Sequence, residues 1–117
     1  MVSTDAGREE FAKWFAGESA VAPTHGAVGT GSDTPSATDS SLSAEEFRDS
    51  IDSTSRVSTL IQQDFVVNTV EATSSTLTEV GIFNSSSGGV MFSRNVFAPL
   101  VKTDEIELQI ESRSNIL

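Results

Sequence analysis

Over residues 105–111 the chain alternates without a break. Ile106, Leu108 and Ile110 take one parity, and Glu105, Glu107, Gln109 and Glu111 the other. A period of two puts the apolar set on one side of an extended strand and the polar set on the other. Such a strand belongs to a sheet with one face on a core and one in water, the antiparallel habit. Carboxylates along the wet face also discourage edge pairing.

The rest of the second half follows suit. Residues 57–62 and 65–71 read as strands, either one long bent strand or a hairpin about Gln62, Gln63 and Asp64. Residues 76–83 form a third, with Leu77 alternating against Glu79 before Gly81. Residues 84–89 (Asn-Ser-Ser-Ser-Gly-Gly) are a turn by composition, and 90–97 a further strand that Pro99 ends or places at a sheet edge. The sum is a mainly β chain: a small antiparallel sheet or sandwich with a helix packed on it.

That helix is read over residues 4–16, where Phe11, Trp14 and Phe15 share a face at i, i+3, i+4. Thr4 or Asp5 caps its start, Gly17 suits a left-handed stop, and Glu9 with Lys13 makes an i, i+4 pair. Trp14 reads as a core or interface anchor. Residues 18–43 are Gly, Ser, Thr, Asp and Pro-rich loop with one short strand at Ala27 and Val28. Ser43 and Glu46 then have capping-box spacing, predicting a second short helix over 44–51. At 117 residues the whole is one domain, 1–117, with roughly two-thirds of its unfolded surface available to bury.

Charge narrows the partners. Seventeen acidic residues face seven basic ones, a net −10, and only Lys13 and Lys102 are lysines. Phosphate backbones need clustered Lys and Arg, so nucleic acid is not an expected partner, and neither is an anionic membrane. The acidic, lysine-poor composition suits high salt: at about 1 M the Debye length is about 3 Å, and carboxylate self-repulsion nearly vanishes. No apolar run approaches the roughly twenty residues of a membrane span, and the opening Met-Val-Ser-Thr-Asp lacks the basic and apolar regions of a signal peptide. Cysteine is absent, which removes disulfides and thiolate metal sites.

Reactive chemistry finds little support. Gly26, Gly29 and Gly31 lack the Lys-Ser/Thr of a phosphate loop and do not join a strand to a helix. They read instead as backbone needing positive φ or close approach. His25 is the only histidine, has no nucleophile elbow to serve, and reads as a hydrogen-bonded structural residue. No cofactor is expected. The least implausible ion is Ca²⁺, for which Asp33, Asp39, Asp49, Asp52, Asp64 and Asp104 offer loop carboxylates without an EF-hand pattern.

The order of phrases along the chain resembles a family of small tailed-virus proteins described as tail, tail-fibre or baseplate-associated components. The phrases are Asp5-Ala6-Gly7-Arg8; Pro23 to Gly31 with Pro35, Asp39 and Leu42; Glu45 with Arg48; Thr78-Glu79-Val80-Gly81-Ile82-Phe83-Asn84; and Ser87-Gly88-Gly89 with Arg94, Phe97, Pro99 and Lys102. Gly26 departs from the pattern, replacing an apolar residue. The resemblance implies a fold rather than a reaction. Gly81, Gly88 and Gly89 would be turn or bulge positions, and Phe83, Val96 and Phe97 core residues. It also implies a non-enzymatic structural component of a virion, a haloarchaeal virus being favoured by the acidity, that works as a homo-oligomer among other virion proteins. Tail or baseplate is the first placement and capsid decoration or turret the second. Trp14, Phe15, Ile116 and Leu117 are the expected docking residues. A competing class is a receptor module for host-surface glycans, using the 26–42 loop or the 84–89 turn; one Trp and no Tyr count against it.

Overall fold

The computed structural model describes residues 2–115, so Ile116 and Leu117 lie outside the described residues. The chain runs β1 (Val2–Ser3), α1 (Asp5–Phe15), β2 (His25–Gly29), β3 (Glu45–Ser50), β4 (Ser53–Val57), β5 (Leu60–Val67), β6 (Thr76–Phe83), β7 (Met91–Val101) and β8 (Leu108–Asn115). Two antiparallel sheets result: a wide one ordered β1-β7-β6-β2-β3 and a narrow one ordered β4-β5-β8. The mainly β architecture of antiparallel strands with an N-terminal helix is the one the sequence calls for, while the second helix expected over 44–51 does not form.

The inner faces meet in a core of Val28, Leu77, Val80 and Ile82 from the wide sheet and Phe65 and Val67 from the narrow one. Leu108 and Ile110 pack against it, as their alternation with Gln109 and Glu111 requires. A second cluster, Ala27, Leu42, Phe83 and Met91, lies on the other face of the wide sheet, where Leu42 comes from the long 30–44 loop. Strand β6 is therefore covered on both faces, and Leu77 through Phe83 are all buried.

Helix α1 starts where expected. Thr4 is its N-cap, accepting the Gly7 N–H at 3.0 Å, while its hydroxyl donates to the Met91 carbonyl and ties the helix to β7. Gly17 takes φ +82 just past the end. Lys13 pairs with Glu10 at 3.2 Å rather than with Glu9. The helix is not packed through its aromatic stripe, however. Phe11, Trp14 and Phe15 are 49%, 63% and 79% exposed.

Several expectations are corrected. Residues 44–51 are not helical: they contain β3, the outer strand beside β2. The Ser43 groups that would have capped a helix are taken, its N–H by Glu79 and its hydroxyl by Asp33. Glu46 falls at a register shift between Val28 and Gly29, so no reciprocal cap forms. The hairpin reverses at Ser58 and Thr59, with Ser58 at φ +54, and Gln62–Asp64 lie inside β5. Gly81 is neither turn nor bulge but mid-strand, opposite Ala27 and Arg94. Gly88 and Gly89 do adopt φ +60 and +73 in the 84–89 turn. Pro99 sits inside β7 near a register shift against β6, and β1 pairs with β7 only at Ser93 and Arg94, so its missing N–H interrupts no ladder there. The last strand begins at Leu108, since Ile106 is held in a turn by Thr103.

Candidate functional site

The chain's unusual chemistry lies on the outer face of the wide sheet, beneath the 30–44 loop. In register, Gly29 pairs with Glu79, and Gly81 pairs with Arg94. Residues on one parity of a strand share a face, so Glu79 and Arg94 project to the same side of adjacent strands. Both side chains are fully buried.

Glu79 holds both ends of the loop. Its Oε2 accepts N–H bonds from Gly31 at 2.7 Å and Ala44 at 2.8 Å; its Oε1 accepts from Ser43 at 2.9 Å and from Arg94 Nε at 3.0 Å. Four donors saturate a carboxylate's ordinary acceptor capacity. Thr30 N–H closes the loop base onto the Ala44 carbonyl at 2.9 Å, and Thr78 Oγ1 donates to the Gly31 carbonyl at 2.6 Å. Arg94 holds the middle: Nη1 donates to the Asp33 carbonyl and Asp39 carboxylate, both at 3.2 Å, and Nη2 to the Asp33 carboxylate at 3.0 Å. Gly31 has to be glycine because a Cβ there would come within 2.5 Å of the Glu79 carboxylate. The expected demand at Gly29 and Gly31 is thus met as close approach, with no positive φ at either.

Burial alone would raise the Glu79 pKa, but three backbone N–H groups and Arg94 overcome it and hold the carboxyl below its ordinary 4.5. The Arg94 guanidinium is pushed down by burial, yet Glu79, Asp33 and Asp39 hold it above its ordinary value. Asp33 is lowered chiefly by the Ser43 hydroxyl, against the opposing effect of desolvation. Because the folded Glu79 pKa lies below the unfolded one, its stabilisation is complete above about pH 4.5 and fades as pH falls toward the folded value. The thermal midpoint is therefore expected to fall below about pH 4.5, and Glu79→Gln to flatten that limb. The same variant should lower the neutral-pH midpoint, because an amide nitrogen would face backbone donors. Melts across about pH 3 to 7 check this; equal acid slopes in wild type and Glu79→Gln would contradict it.

A saturated, ionised carboxylate locked to a guanidinium that makes four hydrogen bonds is a clasp for a loop. Among the described residues no buried side-chain nitrogen or oxygen lacks a partner, and no group of three or more His, Asp or Glu is placed to hold a metal ion. Of the Ca²⁺ candidates, Asp33 and Asp39 pair with Arg94, Asp64 accepts from Ser53, and Asp49 accepts the Ser50 N–H.

The other singled-out residues disperse. His25 opens β2 with Nδ1 2.7 Å from the Thr24 hydroxyl. Phe83 is buried beneath Arg48, whose guanidinium carbon lies 3.7 Å from the ring centroid. Arg48 also grips Glu45 in a bidentate pair at 2.6 and 3.0 Å and reaches the Ser85 and Gly88 carbonyls at 2.9 Å, fastening the 84–89 turn. Phe97 flanks the inner core, while Pro99 is exposed. Two further buried charges belong with these residues. Glu79 has a signal in the sequence, being the lone charge of its strand; Lys102, which donates to the Thr69 and Thr103 carbonyls at 3.2 and 2.9 Å, stands out there only as the end of the last resembling phrase.

An open apolar cleft of about 780 Å³ lies between α1 and the sheets, bounded by Phe11, Trp14, Val21, Ile61, Ile82 and Phe92. The chain matches no protein-family model, and no curated protein matches it significantly.

Proposed function

We propose that this chain is a structural subunit of a tailed-virus particle, placed at the tail or baseplate and acting by protein–protein assembly rather than catalysis. The viral setting rests on the sequence resemblance. The observation that carries the assembly reading is the aromatic stripe of α1. Phe11 packs tilted against Trp14 and stacks with Phe15 at centroid distances of 5.9 and 6.5 Å; all three are exposed, and Phe11 and Trp14 border the apolar cleft. A contiguous apolar patch of this kind, set among polar side chains, marks an interaction surface. Trp and Phe are also the residue types enriched where interfaces concentrate their energy. The ion cluster supports the same reading, since its paired charges fasten a loop to the sheet.

The test uses particles purified from the source virus. The chain is expected among their proteins at fixed stoichiometry by quantitative mass spectrometry. Trp14→Ser with Phe15→Ser should abolish incorporation while changing monomer stability by no more than about 0.5 kcal/mol each, as exposed positions do. Absence of the chain from particles, or normal incorporation of the double variant, would refute the reading.

A further inference from the structure

We propose that two copies of this chain join edge to edge through β8, antiparallel and two-fold symmetric about Ser112. The inference rests on the assembly reading above and names its partner, a second copy, and its surface. Strand β8 is the outer strand of the narrow sheet: all eight residues pair with β5, and among the described residues no strand lies on its other side. It contains no glycine or proline and no register shift. On its outer side alternate residues present backbone N–H and C=O groups that a further strand can take up.

The side chains select both the partner and the register. Gln109, Glu111, Arg113 and Asn115 form the exposed parity of β8. A two-fold axis at Ser112 places Glu111 opposite the partner's Arg113, Arg113 opposite the partner's Glu111, and Gln109 opposite the partner's Asn115. Within one chain Arg113 and Glu111 already pair at 2.5 Å, with 64% and 45% of their side chains exposed, so both are available to a facing strand. Shifting the axis to Glu111 sets carboxylate against carboxylate, and shifting it to Arg113 sets guanidinium against guanidinium. Opposed like charges destabilise a strand pair and opposed unlike charges stabilise it. The charges of β8 thus match a self-complementary pairing about Ser112, the isologous kind that closes on itself.

The other edges offer no such match. Strand β4 carries Arg56 as its single charge, β1 has two residues, and β3 is irregular at Glu46 with Arg48 committed to Glu45 and Phe83. Ser114 and Asn115 at the end of β8 also line the apolar cleft, so a partner strand there adjoins surface that one copy leaves open.

Sedimentation velocity on the full chain in about 0.1 M salt, where surface charges still act over roughly 10 Å, tests the pairing. The wild type is expected to form a dimer. Glu111→Arg and Arg113→Glu should each weaken it at least about tenfold, because two opposed pairs become like-charged. An equimolar mixture of the two variants should recover dimer, since every facing charge then meets its opposite. Circular dichroism on each variant checks that both still fold. A monomeric wild type, single variants that dimerise as well as wild type, or a mixture that stays monomeric would each overturn the proposal. Assembly that ignores both reversals but is lost in Trp14→Ser would overturn β8 pairing and leave the assembly reading standing. Absence from particles overturns that reading, whatever β8 does.

Discussion

Arg94→Met is expected to lower folding stability by about 3–5 kcal/mol, the usual cost of breaking a buried ion pair from one side. Methionine roughly fills the volume but makes none of the guanidinium's four hydrogen bonds. Glu79 is then left ionised in a fully buried position, and Asp33 and Asp39 lose the cation that holds them against the sheet. Arg94→Lys keeps the charge without the forked donors and should recover only part of the loss. Denaturant midpoints at neutral pH measure both. Because Arg94 fastens the middle of residues 30–44, amide exchange in that loop should accelerate more than in β5 or β8. A loss below about 1 kcal/mol, the range of surface ion pairs, would show that the cluster is not holding the loop.

Phe65→Ala is expected to cost about 3–5 kcal/mol, as for other large aromatic side chains removed from a packed core. Phe65 is fully buried in β5 and reaches across the interlayer space to lie on Gly26 of β2, where a Cβ would overlap the ring. The wide sheet therefore supplies the space and the narrow sheet the ring. Gly26→Ala alone should cost about 1–3 kcal/mol by overpacking. In the Phe65→Ala background the same change should cost much less, because the ring it collides with is gone. Four melts complete this cycle, and strictly additive losses would mean that the two positions do not share the contact.

The Gly26–Phe65 contact shows where one-dimensional reading stops. Gly26 stands out in sequence as a glycine where the resembling phrases carry an apolar residue, but nothing local says that a ring thirty-nine positions later fills the space. Strand β6 lies the other way: its bounds, 76–83, follow from local pattern, with Leu77 alternating against Glu79 before Gly81. Strand β3 departs from the expected helix for a complementary reason. Ser43 and Glu46 have capping-box spacing, yet a Ser43 N–H claimed by a carboxylate thirty-six residues away cannot also open a helix.

The clasp was half legible. Arg94, Gly29 and Gly31 stood out in the sequence, and Asp33 and Asp39 were noticed as loop carboxylates, but as ligands for a cation rather than partners of Arg94. Glu79 was read as the polar side of an alternating strand, whereas the 30–44 loop folds over that side and makes it interior. Local alternation, turn composition and the Thr4 cap are enough to determine a mainly β chain that opens with an amphipathic helix, since periods of 2 and 3.6 are properties of the backbone itself. That the polar side of β6 is covered, which charges are buried together, and that the aromatic side of α1 faces outward were decided only by tertiary structure. Burial depends on what long-range packing lays over a surface, and no window along the chain contains that information.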